Sequence, residues 1–196
     1  MRYSAEHKQQ TRERLLNEGG ALVKERGFAS LGVDALMKAV GLSGAAFYGH
    51  FPSKDAFFAE LIEHQMANSA LRRSADAGDE RLDRNHLWRT LQHYLSLSHV
   101  EHPESGCALP ALGAEIARAD EPVREQVEQT LGRLQRRWAD ALDGNGELAW
   151  GALAQCVGGL LLARMMASEE SRKAVLEGSR QLLAATLQPN AGVSAG

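Results

Sequence analysis

The chain has 196 residues, 44% of them hydrophobic and 24% charged, with a formal net charge of −3. That is enough apolar material for a packed core and excludes a disordered chain, while 6% aromatic residues and only 5 prolines favour helices over a β-sandwich. The negative total gives no general attraction to nucleic acid, but residues 1–55 carry eight basic and six acidic side chains, so what basic character exists lies at the N-terminal end.

In chain order, the first predicted helix covers 5–26, with Leu15, Leu16, Leu22 and Val23 on one face and Gly27 as its stop after Lys24 and Arg26. A short helix follows over 33–40, ended by Gly41 in a Gly-Leu-Ser turn, and a second short helix covers 44–50. Phe51-Pro52-Ser53 breaks the chain, and Ser53 is placed to N-cap a helix over 54–74 carrying Phe57, Phe58, Leu61, Ile62 and Met66. A loop is expected at 76–79, then a single helix over 82–100. After a break at 102–106 come helices over 107–119, with Pro110 in the first turn, and 121–142. Asp143-Gly144-Asn145-Gly146 is a turn, and the last helices cover 147–167 and 169–187. The tail 189–196 is small and polar and is expected to be disordered.

The stretch 148–167 is about long enough to cross a bilayer. Gln155, Arg164, Trp150 and three glycines interrupt it, so a buried helix at a core or subunit interface is expected, and no membrane. Residues 1–10 lack the apolar run of a secretory signal. Cys107 and Cys156 form no CxxC, and a cytoplasmic protein with free thiols is expected.

Two short helices joined by a glycine turn, after an amphipathic helix, form a helix-turn-helix pattern. The first braces; the second fits the major groove of double-stranded DNA, with Leu36, Val40 and Phe47 as the small core between them. The residues 41–55, Gly-Leu-Ser-Gly-Ala-Ala-Phe-Tyr-Gly-His-Phe-Pro-Ser-Lys-Asp, closely resemble the signature of the TetR family, in which a Gly-Val-Ser-like turn leads into a recognition helix ending in Tyr-x-His-Phe with a Lys just beyond. Gly27-Phe28 and their spacing to Gly41 fit as well. The resemblance implies that Tyr48, His50 and Lys54 contact phosphates. It implies that Ser43, Gly44, Ala45 and Ala46 lie closest to base edges, and that Phe51 anchors the recognition helix to the core.

Two departures matter. The bracing helix starts at Gly32, where the family usually has Ser or Thr. The recognition helix is bare, since Gly44, Ala45, Ala46 and Gly49 offer no side-chain hydrogen bonds. Discrimination is then expected from Ser43, from DNA shape and from an N-terminal arm of Arg2, Tyr3 and Lys8.

The resemblance further implies an all-α protein of about nine helices. Residues 1–53 would form the three-helix DNA-binding domain and 54–188 a ligand-binding and dimerisation domain. It implies a palindromic operator and a homodimer through the last two helices, where Gly151, Gly158 and Gly159 permit close approach and Leu161, Leu162, Val175, Leu176, Leu183 and Leu187 supply apolar area. A small-molecule effector would bind among the middle helices; the candidates are Met66, Trp88, Leu91, Tyr94, Leu95, Leu109, Leu112, Trp138 and Trp150, each of which also reads as ordinary core. The helix 54–74 would be the lever that carries the effector's signal.

Cys107 sits at a predicted helix N-terminus, a place that favours a thiolate. Some members of the family have a Gly-Cys here and sense electrophiles or oxidants, so a thiol-sensing repressor is the alternative to a small-molecule one; a buried, inert Cys107 is the plain reading. Cys156 is expected to be structural. His99, His102, Glu101 and Glu104 form only a weak metal pattern, and no cofactor is expected. Phosphate-loop, HExxH and nucleophile-elbow motifs are missing, which argues against an enzyme, and the ordered set Tyr48, His50 and Lys54 argues against a purely structural helical protein.

Overall fold

In the computed structural model, which describes residues 5–69, 71 and 82–187, no strand occurs among the described residues. The helices are α1 (Ala5–Arg14), α2 (Gly20–Arg26), α3 (Val33–Ala39), α4 (Lys54–Ala67), α5 (Arg84–Tyr94), α6 (Leu97–Glu101), α7 (Ala108–Ile116), α8 (Glu121–Ala141), α9 (Gly146–Met165) and α10 (Glu169–Leu187). A π-helical turn, Leu15–Gly19, joins α1 to α2, and a 3₁₀ helix, Gly44–Gly49, lies between α3 and α4. The arm residues Arg2 and Tyr3, the loop 76–79 and the tail 189–196 lie outside the described residues.

Packing divides the chain into two units, residues 1–68 with 103–127, and residues 69–102 with 128–196. In the first unit, the helix expected over 5–26 is a continuous rod whose middle widens into the π turn. There the rod meets α4 closely: a Cβ on Gly20 would lie 2.7 Å from both Leu61 Cδ1 and Gln65 Nε2. Gln65 Nε2 also donates to the Leu16 carbonyl at 3.2 Å, so an α4 side chain reaches the backbone ladder where it opens. Gly32 caps α3 with its backbone alone. Gly41, at φ 73°, supplies the left-handed turn into the 3₁₀ helix, and Ser53 Oγ accepts from Ala56 N at 3.0 Å, the expected N-cap of α4. The core beneath is Leu15, Leu36, Met37, Phe47, Phe51, Phe57, Leu61 and Ile62, all fully buried.

The expected recognition helix over 44–50 is the 3₁₀ helix. Six residues with glycine at each end give an α-helix little to propagate on. The helix expected over 54–74 stops at Ala67, where Asn68 leaves helical geometry and its side chain caps the His64 carbonyl at 3.0 Å.

The second unit holds one correction. The single helix expected over 82–100 is broken at Leu95 and Ser96. Two side chains take the carbonyls released there: His99 Nδ1 bonds the Tyr94 carbonyl at 2.8 Å and Arg180 Nη1 donates to the Leu95 carbonyl at 2.6 Å. Ser96 Oγ then accepts from His99 N and restarts the chain as α6. Apolar periodicity continues across the break, which is why the sequence reads as one helix.

In α9 and α10, Gly159 admits Ser179, whose Oγ would lie 2.5 Å from an added Cβ. Gln155 Nε2 donates to the same hydroxyl at 2.9 Å.

Phe57→Ala removes a fully buried ring from the junction of α4 with the 3₁₀ helix. It should cost about 3–5 kcal/mol in a urea denaturation; a loss below about 1 kcal/mol would show that this core is not closely packed.

Candidate nucleic-acid interface

A 3₁₀ helix repeats every three residues, so its faces separate cleanly. Gly44, Phe47 and His50 form the inward row, with Phe47 fully buried. Ala45 and Tyr48 form an exposed row beside Ser43, and Tyr48 is 65% exposed. Ala46 is half-buried. Of the seven expected DNA residues, Ser43, Ala45 and Tyr48 therefore stand fully on the outer surface. Tyr48 is braced edge-on by Phe47 at 5.5 Å between ring centroids.

The C-terminal end of this segment is clamped by Arg12. Its Nη1 donates to the His50 carbonyl at 2.6 Å, its Nη2 pairs with Glu60 of α4, and its guanidinium lies 4.5 Å from the centroid of Phe51. Arg14 Nη2 closes α3 by donating to the Val40 carbonyl at 3.1 Å. Neither role is visible in the sequence, where both arginines read as solvated charge on the polar face of the first helix. The one local signal is that they lie seven and five residues before Gly19, the first of the paired glycines at which α4 approaches.

His50 lies beside a cluster of cations. Its Nδ1 is buried without a hydrogen-bond partner among the described residues. Burial, then the charges of Lys8, Arg12 and His7, hold its pKa below the usual 6.5. Lys54 sits otherwise than a free phosphate ligand would. Its Nζ donates to the Phe28 carbonyl at 2.9 Å and lies 4.2 Å from the Phe28 ring centroid, while Phe28 stacks on Phe58 at 4.2 Å. The ammonium keeps its charge but is tied to the loop that follows α2.

The candidate effector residues divide between the two units. Leu91, Tyr94, Leu95 and Trp138 are buried in the second unit, where Trp88 is half-buried. Trp138 Nε1 has no hydrogen-bond partner among the described residues. Trp150, in the same unit, is 45% exposed and faces outward from α9 together with Leu161, Leu162 and Met165. Cys107, Leu109 and Leu112 belong to the first unit. Cys107 is the N-cap residue of α7 and is 4% exposed. Two bonds moor that helix within its unit. Lys24 Nζ donates to the Gly106 carbonyl at 2.9 Å, and the Glu115 carboxylate accepts from Ala29 N at 2.7 Å.

α9 is long and apolar enough to cross a membrane by length and composition. Its buried face is Ala149, Ala152, Leu153, Cys156, Leu160 and Ala163. On the other face, Gly151 and Gly158 look into open space, as does Gly178 of α10 near the exposed Leu182.

The fold and this surface define an all-helical protein with a helix-turn-helix at its N-terminal end. Residues 15–61 match the family of bacterial regulatory proteins described as the tetR family. The HTH-type transcriptional repressor NemR of Escherichia coli (strain K12) is 30% identical over 124 residues, 61% of this chain and 60% of NemR. The HTH-type transcriptional regulator EthR of Mycobacterium tuberculosis is 33% identical over 101 residues, 49% of this chain and 46% of EthR. This chain thus spans about three fifths of NemR's length in the aligned region. Among solved structures, a TetR transcriptional regulator from Legionella pneumophila has a TM-score of 0.72 at 21% identity, covering 95% of this chain and 99% of that one. The reduced form of E. coli NemR has a TM-score of 0.67 at 24% identity, covering 88% and 96%. At such identities the structures speak for the fold, which they share over most of its length. The chain is thus similar to the tetR family at residues 15–61 and has the fold of the TetR regulators.

The lowered pKa of His50 has a signed consequence. The unfolded chain binds this proton more readily than the folded one, so the His50 contribution to stability is present above pH 6.5 and lost as pH falls through the depressed folded value. Urea unfolding between pH 7.5 and 5.5 should show a shallower loss of stability for His50→Gln than for the unaltered chain. Parallel pH profiles would mean that His50 titrates alike in both states.

Proposed function

We propose that this chain is a sequence-specific DNA-binding transcriptional regulator, a cytoplasmic repressor released from a palindromic operator by a small-molecule effector. The observation that carries the reading is the recognition segment. Ser43, Ala45 and Tyr48 form an exposed row on a 3₁₀ helix that the buried Phe47 and the Arg12 clamp hold rigidly. Tyr48 and His50 would then meet phosphates, with Lys54 adding its charge from the first turn of α4, and Ser43, Gly44, Ala45 and Ala46 would lie against base edges. Residues 1–53 would bind DNA and 54–188 would carry effector binding and dimerisation.

A two-fold dimer fits the apolar outer face of α9 and α10. Trp150, Leu161, Leu162, Met165 and Leu182 are 45–69% exposed there. Small residues between them (Gly151, Gly158 and Gly178) leave room for a second copy to approach closely. This face supports a subunit interface for Trp150 in preference to an effector contact. Effector binding would shift the population of the dimer toward a state with the recognition segments out of register, so the effector must favour that state.

A thiol-based sensor acting through Cys107 is the second reading. It is supported by the residue's place at the N-cap of α7 and by the likeness to NemR. The 4% exposure of Cys107 weighs against it, because a reagent reaches the sulfur only after local opening.

Fluorescence anisotropy on labelled DNA from upstream of the chain's own gene tests the main reading. Binding should resist unrelated competitor DNA, weaken steeply with salt, and fall at least about tenfold in a His50→Ala, Lys54→Ala double variant, as expected for the loss of one charge-assisted contact and one nearby positive charge. If the folded protein binds no DNA, from that region or from a genomic library, the reading fails. In sedimentation, Leu161→Glu with Leu182→Glu should turn a dimer into a monomer; an unchanged dimer would place the interface elsewhere. Alkylation of Cys107 should abolish DNA binding if the thiol reading holds, and full modification with intact binding would remove it.

A further inference from the structure

The recognition segment is almost bare, yet a carboxylate stands where one of its side chains would be. A Cβ on Gly44 would fall on Oδ1 of Asp34, and would lie 2.9 Å from Asp34 Cγ. The bracing helix thus sends a side chain through the gap that glycine leaves at the start of the recognition segment. Asp34 is in the first turn of α3, where the helix dipole favours a negative charge. It is exposed, and no described residue donates a hydrogen bond to it. Ser43 and Ala45, the chain neighbours of Gly44, are exposed as well.

Resting on the DNA-binding reading above, we infer that Asp34 is a specificity-determining residue, which accepts a hydrogen bond from the exocyclic amino group of cytosine in each half-site. The chemistry narrows the choice. A carboxylate is repelled by phosphates, so it gains nothing from the backbone. In the major groove guanine offers only acceptors, and thymine an acceptor and a methyl group. Adenine offers an amino donor, but its N7 acceptor lies beside it and repels a second carboxylate oxygen. Cytosine presents its amino donor without that neighbour. Gly44 follows from this arrangement, because any larger residue would displace the carboxylate.

The test is selection of sites from randomised double-stranded DNA by the full-length chain and by Asp34→Ala, Asp34→Asn and Gly44→Ala, each first checked by thermal melting. The unaltered chain should prefer cytosine at one position per half-site by about tenfold, the low end of what a good base contact discriminates. Asp34→Ala should reduce that preference to about twofold or less, with other positions unchanged. Asp34→Asn should move it toward adenine, whose N6 and N7 suit an amide. Gly44→Ala should lose the same preference as Asp34→Ala, and combining the two should cost nothing further at that position. Identical base preferences in all four proteins, with only a uniform change in affinity, would overturn the inference while leaving the DNA-binding reading intact. Failure of the unaltered chain to enrich any sequence would remove that reading, and the inference with it.

Discussion

A six-residue 3₁₀ helix cannot hold its own shape in water, because too few backbone bonds offset the entropy of fixing it. The surface proposed to meet DNA therefore depends on one buried junction. Phe47, Phe51 and Phe57 pack ring against ring at 5.0–5.9 Å between centroids. Arg12 covers the edge of that cluster, touching Phe51, the His50 carbonyl and Glu60 at once. Phe47 and Phe51 come from the segment itself and its exit, and Phe57 from α4. The position of the segment is thus set by α1 and α4 together. Anything that shifts α4 against the first helix must move it.

That dependence explains what could be read in advance. Helix positions followed from apolar spacing and from turn residues, and the α10 boundaries agree to the residue. The Ser53 cap and the Gly41 turn were legible because each is a local rule fulfilled by one residue type. The break at Leu95 was not legible. It is stabilised by Arg180, 85 positions away, and no local pattern announces a carbonyl that a distant guanidinium will take. The Arg12 clamp was hidden in the same way, its partners lying 38 and 48 residues further on. The family resemblance names the set proposed to face DNA as an ordered group, whereas Trp150 reads as pocket lining because a sequence does not say which face of an apolar helix is covered. Its 45% exposure bears on that point.

The effector side is a different problem. Core residues and pocket residues share one composition, so Leu91, Tyr94, Leu95 and Trp138 look alike under either description. Burial does not separate them, since a pocket wall and a core are both dry. The unpaired indole N–H of Trp138 is a polar group without a partner among the described residues, in a place where burial makes that costly. The cost is about 1–3 kcal/mol for a neutral donor. It marks Trp138 as the residue in that group for which a polar ligand atom would bring the largest gain.

Electrostatics sets a limit on how the proposed interface can work. Much of the basic character near the N-terminus is fixed internally. Arg12 faces Glu60 and Arg14 faces Glu18, so each guanidinium has a carboxylate beside it. Lys24 and Lys54 are bound to the carbonyls of Gly106 and Phe28, which hold the ammonium groups in place without cancelling their charge. Lys8 and Lys38 remain exposed. Few of the described cations in this region are then mobile, so the non-specific DNA affinity of a single copy would be modest in the proposed reading, because that affinity scales with the number of phosphates neutralised. Two protomers on the proposed palindrome would double that number and make the second contact intramolecular. In the proposed regulator, dimerisation would then be a condition of useful DNA affinity, and the apolar face of α9 and α10 would be as necessary to that function as the recognition segment.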